Sequence, residues 1–329
     1  MNNFEFCVGT DVLFGRGQEE RLPEKLAPFG RRILVTYGGG STIDCSKAIA
    51  AAALYDGDAW DLVTGAGQIT GALPVAVVLT LAATGSEMDS AAVISNPRTS
   101  EKLLMGHPAL LPKVAVLNPE NTFTVPPYQT ASGAADMMSH VIENYFDTVE
   151  AFVPDAVAEG LLRAVIEYTP RALADPEDYE ARAQLMWTGS LALNGITATG
   201  KSFMWSCHYI EHELSAQYDI THGAGLAVLT PKWMRYIISE ATVDKFCDYA
   251  VRVWGFSREG DRFALAQKGI AATESFFRKI GLPSSLEEFG IDDSRFARMA
   301  EKAVQVGGLK NAYVPLDAED VVNILPMCL

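Results

Sequence analysis

Four of the chain's five histidines fall in two short windows, with an aspartate in step. Asp136 and His140 are four residues apart in ASGAADMMSHVIENYF, a stretch of helix-favouring composition, so both side chains leave one helical face a turn apart. His208 and His212 repeat that spacing in SCHYIEHEL, and His222 follows in DITHGAG, a turn-like stretch able to fold a third imidazole toward the same point. One carboxylate and several imidazoles without a thiolate form a borderline-hard ligand set suited to Fe(II) or Zn(II), with a position left for water or substrate. A lone histidine on an apolar helix is ordinarily a hydrogen-bonded core residue. Two pairs and a following imidazole are not accounted for in that way.

A second chemical signal is carried by glycine. Residues 33–37 (ILVTY) read as a short strand, stopped by Gly38, Gly39 and Gly40 and followed by the Ala-rich helix TIDCSKAIAAAAL, which Ser41 is placed to cap. Such a turn sets free backbone N–H groups and the positive end of a helix dipole where a pyrophosphate can sit. A second turn, residues 80–87 (TLAATGSE), also follows a strand and adds hydroxyls and amides.

The elements that must hold these groups change character along the chain. Residues 74–81 and 114–118 are continuous apolar runs expected of strands buried on both faces, and 91–95 with 101–106 read as a hairpin around NPRTS. After Pro126 and Pro127 long amphipathic stretches take over, at 155–168, 177–193 and 260–280. The expectation is an α/β, Rossmann-like domain over 1–127 and an all-helical domain over 128–329 that carries the metal ligands.

The 329 residues, 49% hydrophobic and 20% charged, allow two domains with sizeable cores. A formal charge of −15 has the wrong sign for a partner of nucleic acid or anionic membrane. MNNFEFCVGT lacks the basic and apolar regions of a signal peptide, and no apolar stretch approaches membrane-spanning length, so a cytoplasmic chain is expected. Cys7, Cys45, Cys207, Cys247 and Cys328 show no CxxC pair, and each is expected to be a small buried hydrophobe in a reducing compartment.

GGGSTIDCSKA, ATGSE, DMMSHVIENY and above all CHYIEHELSAQYDITHGAGLA resemble the iron-containing, or group III, alcohol dehydrogenases, in the branch of NADP-linked butanol dehydrogenases and aldehyde reductases. The resemblance implies metal ligation by Asp136, His140, His208 and His222, with His212 beside the nicotinamide as a proton relay. It implies that Gly39, Gly40 and Ser41, with Asp44 a turn further on, meet the cofactor phosphates. Thr80, Thr84 and Ser86 match a turn under the nicotinamide ribose and diphosphate, Lys102 a lysine that reaches the ribose, and Thr122 and Thr124 the nicotinamide side. The implied activity is metal-dependent hydride transfer between NAD or NADP and small primary alcohols or aldehydes; separately, apolar edges in a shortened sheet favour association, and a homodimer or larger homo-oligomer is expected. Phe203, Met204 and Trp205 precede the histidine motif and are expected either to line an apolar substrate pocket or to pack in the core.

The chain departs from this branch at residues 37–41. Its members carry an early turn like TYGGGS and a later one like VGGGSTID, whereas LVTYGGGSTIDCSKA enters as the first and leaves as the second. An internal deletion of on the order of fifty residues, more than one βαβ unit, would join them and remove the adenosine half of the nucleotide site. The competing expectation is therefore a metal-binding remnant without competent cofactor binding. A lyase of the dehydroquinate synthase type needs a basic phosphate pocket, and the surroundings of His208 to His222 are acidic and apolar. Asp89 stands where the branch often has a neutral residue, and is expected either to oppose a phosphate or to be solvated.

Overall fold

A computed structural model of the chain describes every residue except Phe203. Apolar runs separated by glycine turns build a four-stranded parallel sheet in the order β1 (Asp11–Phe14), β6 (Val114–Leu117), β3 (Val75–Leu79) and β2 (Leu34–Gly38). The central strands β3 and β6 are buried at every position, as expected of runs covered on both faces. β1 was not anticipated. It contributes only DVLF, begins on a charge, and becomes a strand by pairing in register with β6, Asp11 opposite Val114.

β2 is an open edge. Thr36 points inward, but Val35 and Tyr37 are 51% and 67% exposed. The expected hairpin forms as β4 (Ala91–Asn96) and β5 (Glu101–Gly106), an antiparallel pair apart from the main sheet.

Three helices accompany the sheet: α1 (Leu22–Leu26), α2 (Gly40–Ala52) and α3 (Ala59–Thr64). Ser41 does not cap α2. The helix begins at Gly40, its N-cap is the extended Gly39, and Ser41 lies exposed within the first turn. Beyond β6 the described residues contain helices and no strands: α4 (Pro127–Tyr145), α5 (Phe152–Ala174), α6 (Tyr179–Leu193), α7 (Cys207–Tyr218), α8 (His222–Ile237), α9 (Val243–Arg252), α10 (Arg262–Lys279), α11 (Phe296–Gly307) and α12 (Ala318–Ile324). The stretch read as 155–168 lies within α5, while those read as 177–193 and 260–280 contain α6 and α10 and overrun their ends by one or two residues.

The helical core is centred on α4, buried without interruption from Thr130 to Tyr145. Met137, Met138, Val141, Tyr145 and Phe146 pack with Trp233, Phe246 and Tyr249 in one apolar cluster. α8 approaches α4 so closely that a Cβ on Gly223 would collide with the Ser132 backbone. That glycine sets His222, its neighbour, against α4.

Cys207, Cys247 and Cys328 are buried as expected, whereas Cys7 and Cys45 are exposed. Cys7 lies in the extended segment before β1 and Cys45 on the outer side of α2, where no second layer covers them. No described helix is long and apolar enough to cross a membrane.

Candidate metal centre and nucleotide turns

α4 presents Asp136 and His140 from one face, α7 presents His208 and His212, and His222 opens α8. Asp136 Oδ1 lies 3.7 Å from His140 Nε2, 3.7 Å from His208 Nε2 and 3.6 Å from His222 Nε2. Ligand atoms of Asp136, His208 and His222 all fall within 4.8 Å of one another. The His140 and His208 rings stack at 4.4 Å, and the Trp205 ring lies 5.3 and 4.7 Å from them. His212 sits just outside, its ring 5.3 Å from that of His222.

The donor set fits a divalent ion. Asp136 Oδ1 and His208 Nε2 are buried, face the cluster and lack a hydrogen-bond partner among the described residues, an arrangement that costs free energy unless another group satisfies them. Donors on a tetrahedral ion with bonds of about 2.0–2.2 Å stand roughly 3.3–3.6 Å apart. The Asp136 separations of 3.6–3.7 Å lie at or just beyond the upper end of that range.

The site's electrostatics follow from burial and facing charge. Burial alone would raise the Asp136 carboxyl, but His140 first, then His208 and His222, hold it well below the usual carboxylate range. Burial lowers His140 to about 3, partly opposed by Asp136. His212 is also driven far down by burial, with the charge of Lys102 adding to it. For His208 burial is outweighed by Glu143 and Asp136, which raise it to about 9.

Two carboxylates escaped the sequence reading. Glu143 Oε1 accepts from His208 Nδ1 and the His208 backbone N–H, while Oε2 accepts from the N–H groups of Ser206 at 2.6 Å and Cys207 at 2.7 Å. Glu211 accepts from His222 Nδ1 and from Ser215 Oγ at 2.5 Å. The available signal was helical phase: Glu143 is seven residues beyond Asp136 and Glu211 three beyond His208.

The main-sheet strands run parallel, so their following turns gather at one edge, the usual mouth for a ligand in an open α/β sheet. There the Gly38–Gly40 turn after β2 meets the 80–88 turn after β3. Thr80 N–H donates to Gly38 O at 3.1 Å. A Cβ on Gly39 would stand 2.9 Å from Leu81 Cβ, and one on Gly40 would collide with the Thr84 side chain. Gly39, Gly40, Thr80, Thr84 and Ser86 are thus brought together.

Asp44 lies behind this turn rather than facing the mouth. Its carboxylate accepts from Ser86 Oγ at 2.5 Å and Val93 N–H at 2.9 Å, tying α2 to the turn and to β4. Thr122 Oγ donates to Pro119 O in a buried turn after β6, while Thr124 is exposed. Lys102 reaches the metal side instead of standing free in the mouth, with Nζ 3.3 Å from His222 Nδ1 and 3.7 Å from Glu211 Oε2.

Asp89 neither opposes an anion nor is solvated. It is paired at 2.7 Å with Lys47, whose side chain is fully buried and also donates to Ala91 O. Even so, burial pushes the Asp89 carboxyl up to about 7. Trp205 packs on the imidazoles and donates from Nε1 to Asn144 Oδ1 at 2.8 Å. Met204 is half-buried with its methyl group near Gly308, and Phe203 lies outside the described residues.

Residues 130–329 match the profile described as "Fe-containing alcohol dehydrogenase family, C-terminal", and residues 29–119 that described as "Iron-containing alcohol dehydrogenase". The chain is 43% identical to NADH-dependent butanol dehydrogenase A of Clostridium acetobutylicum over 384 positions, covering 98% of this chain and 99% of that one. It is 39% identical to NADPH-dependent aldehyde reductase YqhD of Escherichia coli over 93% of this chain and 94% of the relative. The crystal structure of NADH-dependent butanol dehydrogenase A from Thermotoga maritima superposes with a TM-score of 0.94 at 35% identity, covering 100% of this chain and 99% of that one. An alignment of 384 positions exceeds the 329 residues of this chain by 55, so at least that many positions hold residues of the Clostridium relative alone.

Proposed function

The chain belongs to the iron-containing alcohol dehydrogenase family, and from that membership we infer that its reaction is hydride transfer between NAD(P)(H) and alcohols or aldehydes. The substrates in this reading are small primary alcohols and their aldehydes. The observation that carries it is the convergence of one buried carboxylate and three imidazoles, with two atoms unsatisfied, on a single point.

Asp136, His140, His208 and His222 are the residues that would hold the ion, Fe(II) or Zn(II). Bound there, a divalent ion supplies Lewis acidity toward the substrate oxygen, and the nicotinamide supplies or takes up the hydride. His212 exchanges the alcohol proton. Burial and Lys102 keep it neutral, so Nδ1 or Nε2 is free to accept, and its place beside His222 puts it within reach of a substrate oxygen. Gly39 and Gly40 are assigned to the cofactor phosphates, with Ser41, Thr80, Thr84 and Ser86 around them. Thr122 and Thr124 are assigned to the nicotinamide side and Lys102 to the ribose. Asp44 acts by fixing Ser86 and β4.

The shorter length relative to the curated relatives and the open β2 edge running straight into α2 support a deletion at residues 37–41. The same edge supports self-association as a homodimer or larger homo-oligomer, to be read by sedimentation. Cysteine usage supports a cytoplasmic setting.

The test adds a short aldehyde such as butanal to metal-loaded protein with NADH or NADPH and follows loss of the reduced nicotinamide. Turnover with either cofactor is expected. No turnover with both, and no shift of the melting curve by either, would leave the metal-binding remnant as the better reading.

A further inference from the structure

Two of the imidazoles converging on Asp136 have their far nitrogens engaged by buried carboxylates. The Glu143 and Glu211 side chains are 1% and 0% exposed. Glu143 is a junction between α4 and α7: it accepts from His208 Nδ1–H and from three backbone N–H groups at the start of α7. Those are among the donors a helix leaves unpaired at its N-terminus, and Ser206 caps α7 without a side-chain bond. Glu143 therefore fixes where α7 begins as well as which way the His208 ring faces.

Glu211 does the same for His222 from within α7. Its carboxylate holds His222 Nδ1, is itself held by Ser215 Oγ, and has Lys102 Nζ at 3.7 Å. A Cβ on Gly225 would stand 2.6 Å from Glu211 Oε1, so the glycine leaves room for that carboxylate beside α8. In both cases Nδ1 is the nitrogen bonded to the carboxylate and Nε2 the one that faces Asp136. His140 differs, since its Nδ1 is buried without a hydrogen-bond partner among the described residues.

We propose that Glu143 and Glu211 are positioning residues of the metal centre, each selecting the Nδ1–H tautomer and the ring orientation of one histidine and raising its basicity toward a divalent ion. The proposal rests on the metal-centre reading above. Removing such carboxylate partners typically costs about 10–100-fold in metal affinity.

The test measures Zn(II) affinity of the full chain by competition with a chelating dye, and records the Co(II) absorption bands, for wild type, E143Q, E211Q, E143M and E211M. The glutamine variants keep an oxygen that accepts from Nδ1–H but lose the charge. The methionine variants lose both. Affinity is expected to fall about tenfold in E211Q and nearer a hundredfold in E211M, with shifted Co(II) bands, and to fall likewise at Glu143. Melting curves of the metal-free proteins identify folded variants, and the glutamine pair decides the matter if the methionine variants do not fold. Affinities within twofold of wild type in folded E143Q and E211Q, with unchanged Co(II) bands, would overturn the proposal. Wild-type protein that takes up neither ion would overturn the metal centre itself, a separate result.

Discussion

Asp136→Asn isolates the one negative charge among the converging ligands. The carboxylate oxygen stands 3.6–3.7 Å from three imidazole nitrogens, so an ion among them lies closer to it than that. At about 4 Å and an effective dielectric constant near 20, unit charges interact by about 4 kcal/mol, and a doubly charged ion by about twice that. An amide oxygen returns part of this through its dipole. Retaining half of it still leaves a loss of about 4 kcal/mol, or roughly a thousandfold in affinity. Asparagine preserves shape and the packing of α4, whose face here is buried. The assay is equilibrium competition for Zn(II) against a chelating dye, with the metal-free melting curve as a check on folding. A folded variant that loses less than tenfold in affinity would refute the assignment of Asp136 as the anionic ligand.

His212→Phe is expected to lower kcat by roughly 10²–10⁴-fold with metal content unchanged, as measured by steady-state kinetics beside metal analysis. Asp89→Asn leaves the fully buried Lys47 ammonium without its paired carboxylate, and urea unfolding at a pH above the Asp89 value of about 7 should show a loss of about 3–5 kcal/mol. Glu274 accepts from Lys232 and Arg235, which outweigh burial and hold its carboxyl at about 2 rather than 4.5. A depressed carboxyl stabilises the fold above its unfolded value, and that contribution disappears as pH falls from about 4.5 through 2. Glu274→Gln is thus expected to cost about 1–2 kcal/mol at neutral pH after allowing for solvent screening, with the difference from wild type closing in acid melting curves.

The convergence of Asp136 with the imidazoles was legible because helical spacing is a local property. Asp136 with His140, and His208 with His212, project together whatever packs around them. The same arithmetic reached Glu143 and Glu211 without revealing them, since nothing local distinguishes an inward glutamate from a solvated one. The glycine turn was visible in GGGS, but the cap was misplaced: the backbone reaches helical geometry two residues early, at Gly40, where Thr84 leaves no room for a side chain. Asp44, Asp89 and Lys102 found partners on segments about forty or more residues away, at Ser86, Val93, Lys47 and His222. Pairings of that kind belong to the tertiary structure. β1 was hidden for a related reason, as four residues opening on an aspartate become a strand only beside β6.

That last pairing has a consequence for synthesis. β1 precedes the other described strands in the chain, yet its neighbour β6 is the last of the main sheet, with roughly a hundred residues between them. On the ribosome β1 has no partner until residue 117 has emerged, while β2 and β3 are free to pair much earlier. β1 therefore cannot enter the sheet before β6 is made, and its pairing closes a long loop. Pulse proteolysis of stalled nascent chains would show that order directly, with residues 1–14 still cleavable in chains that end before β6.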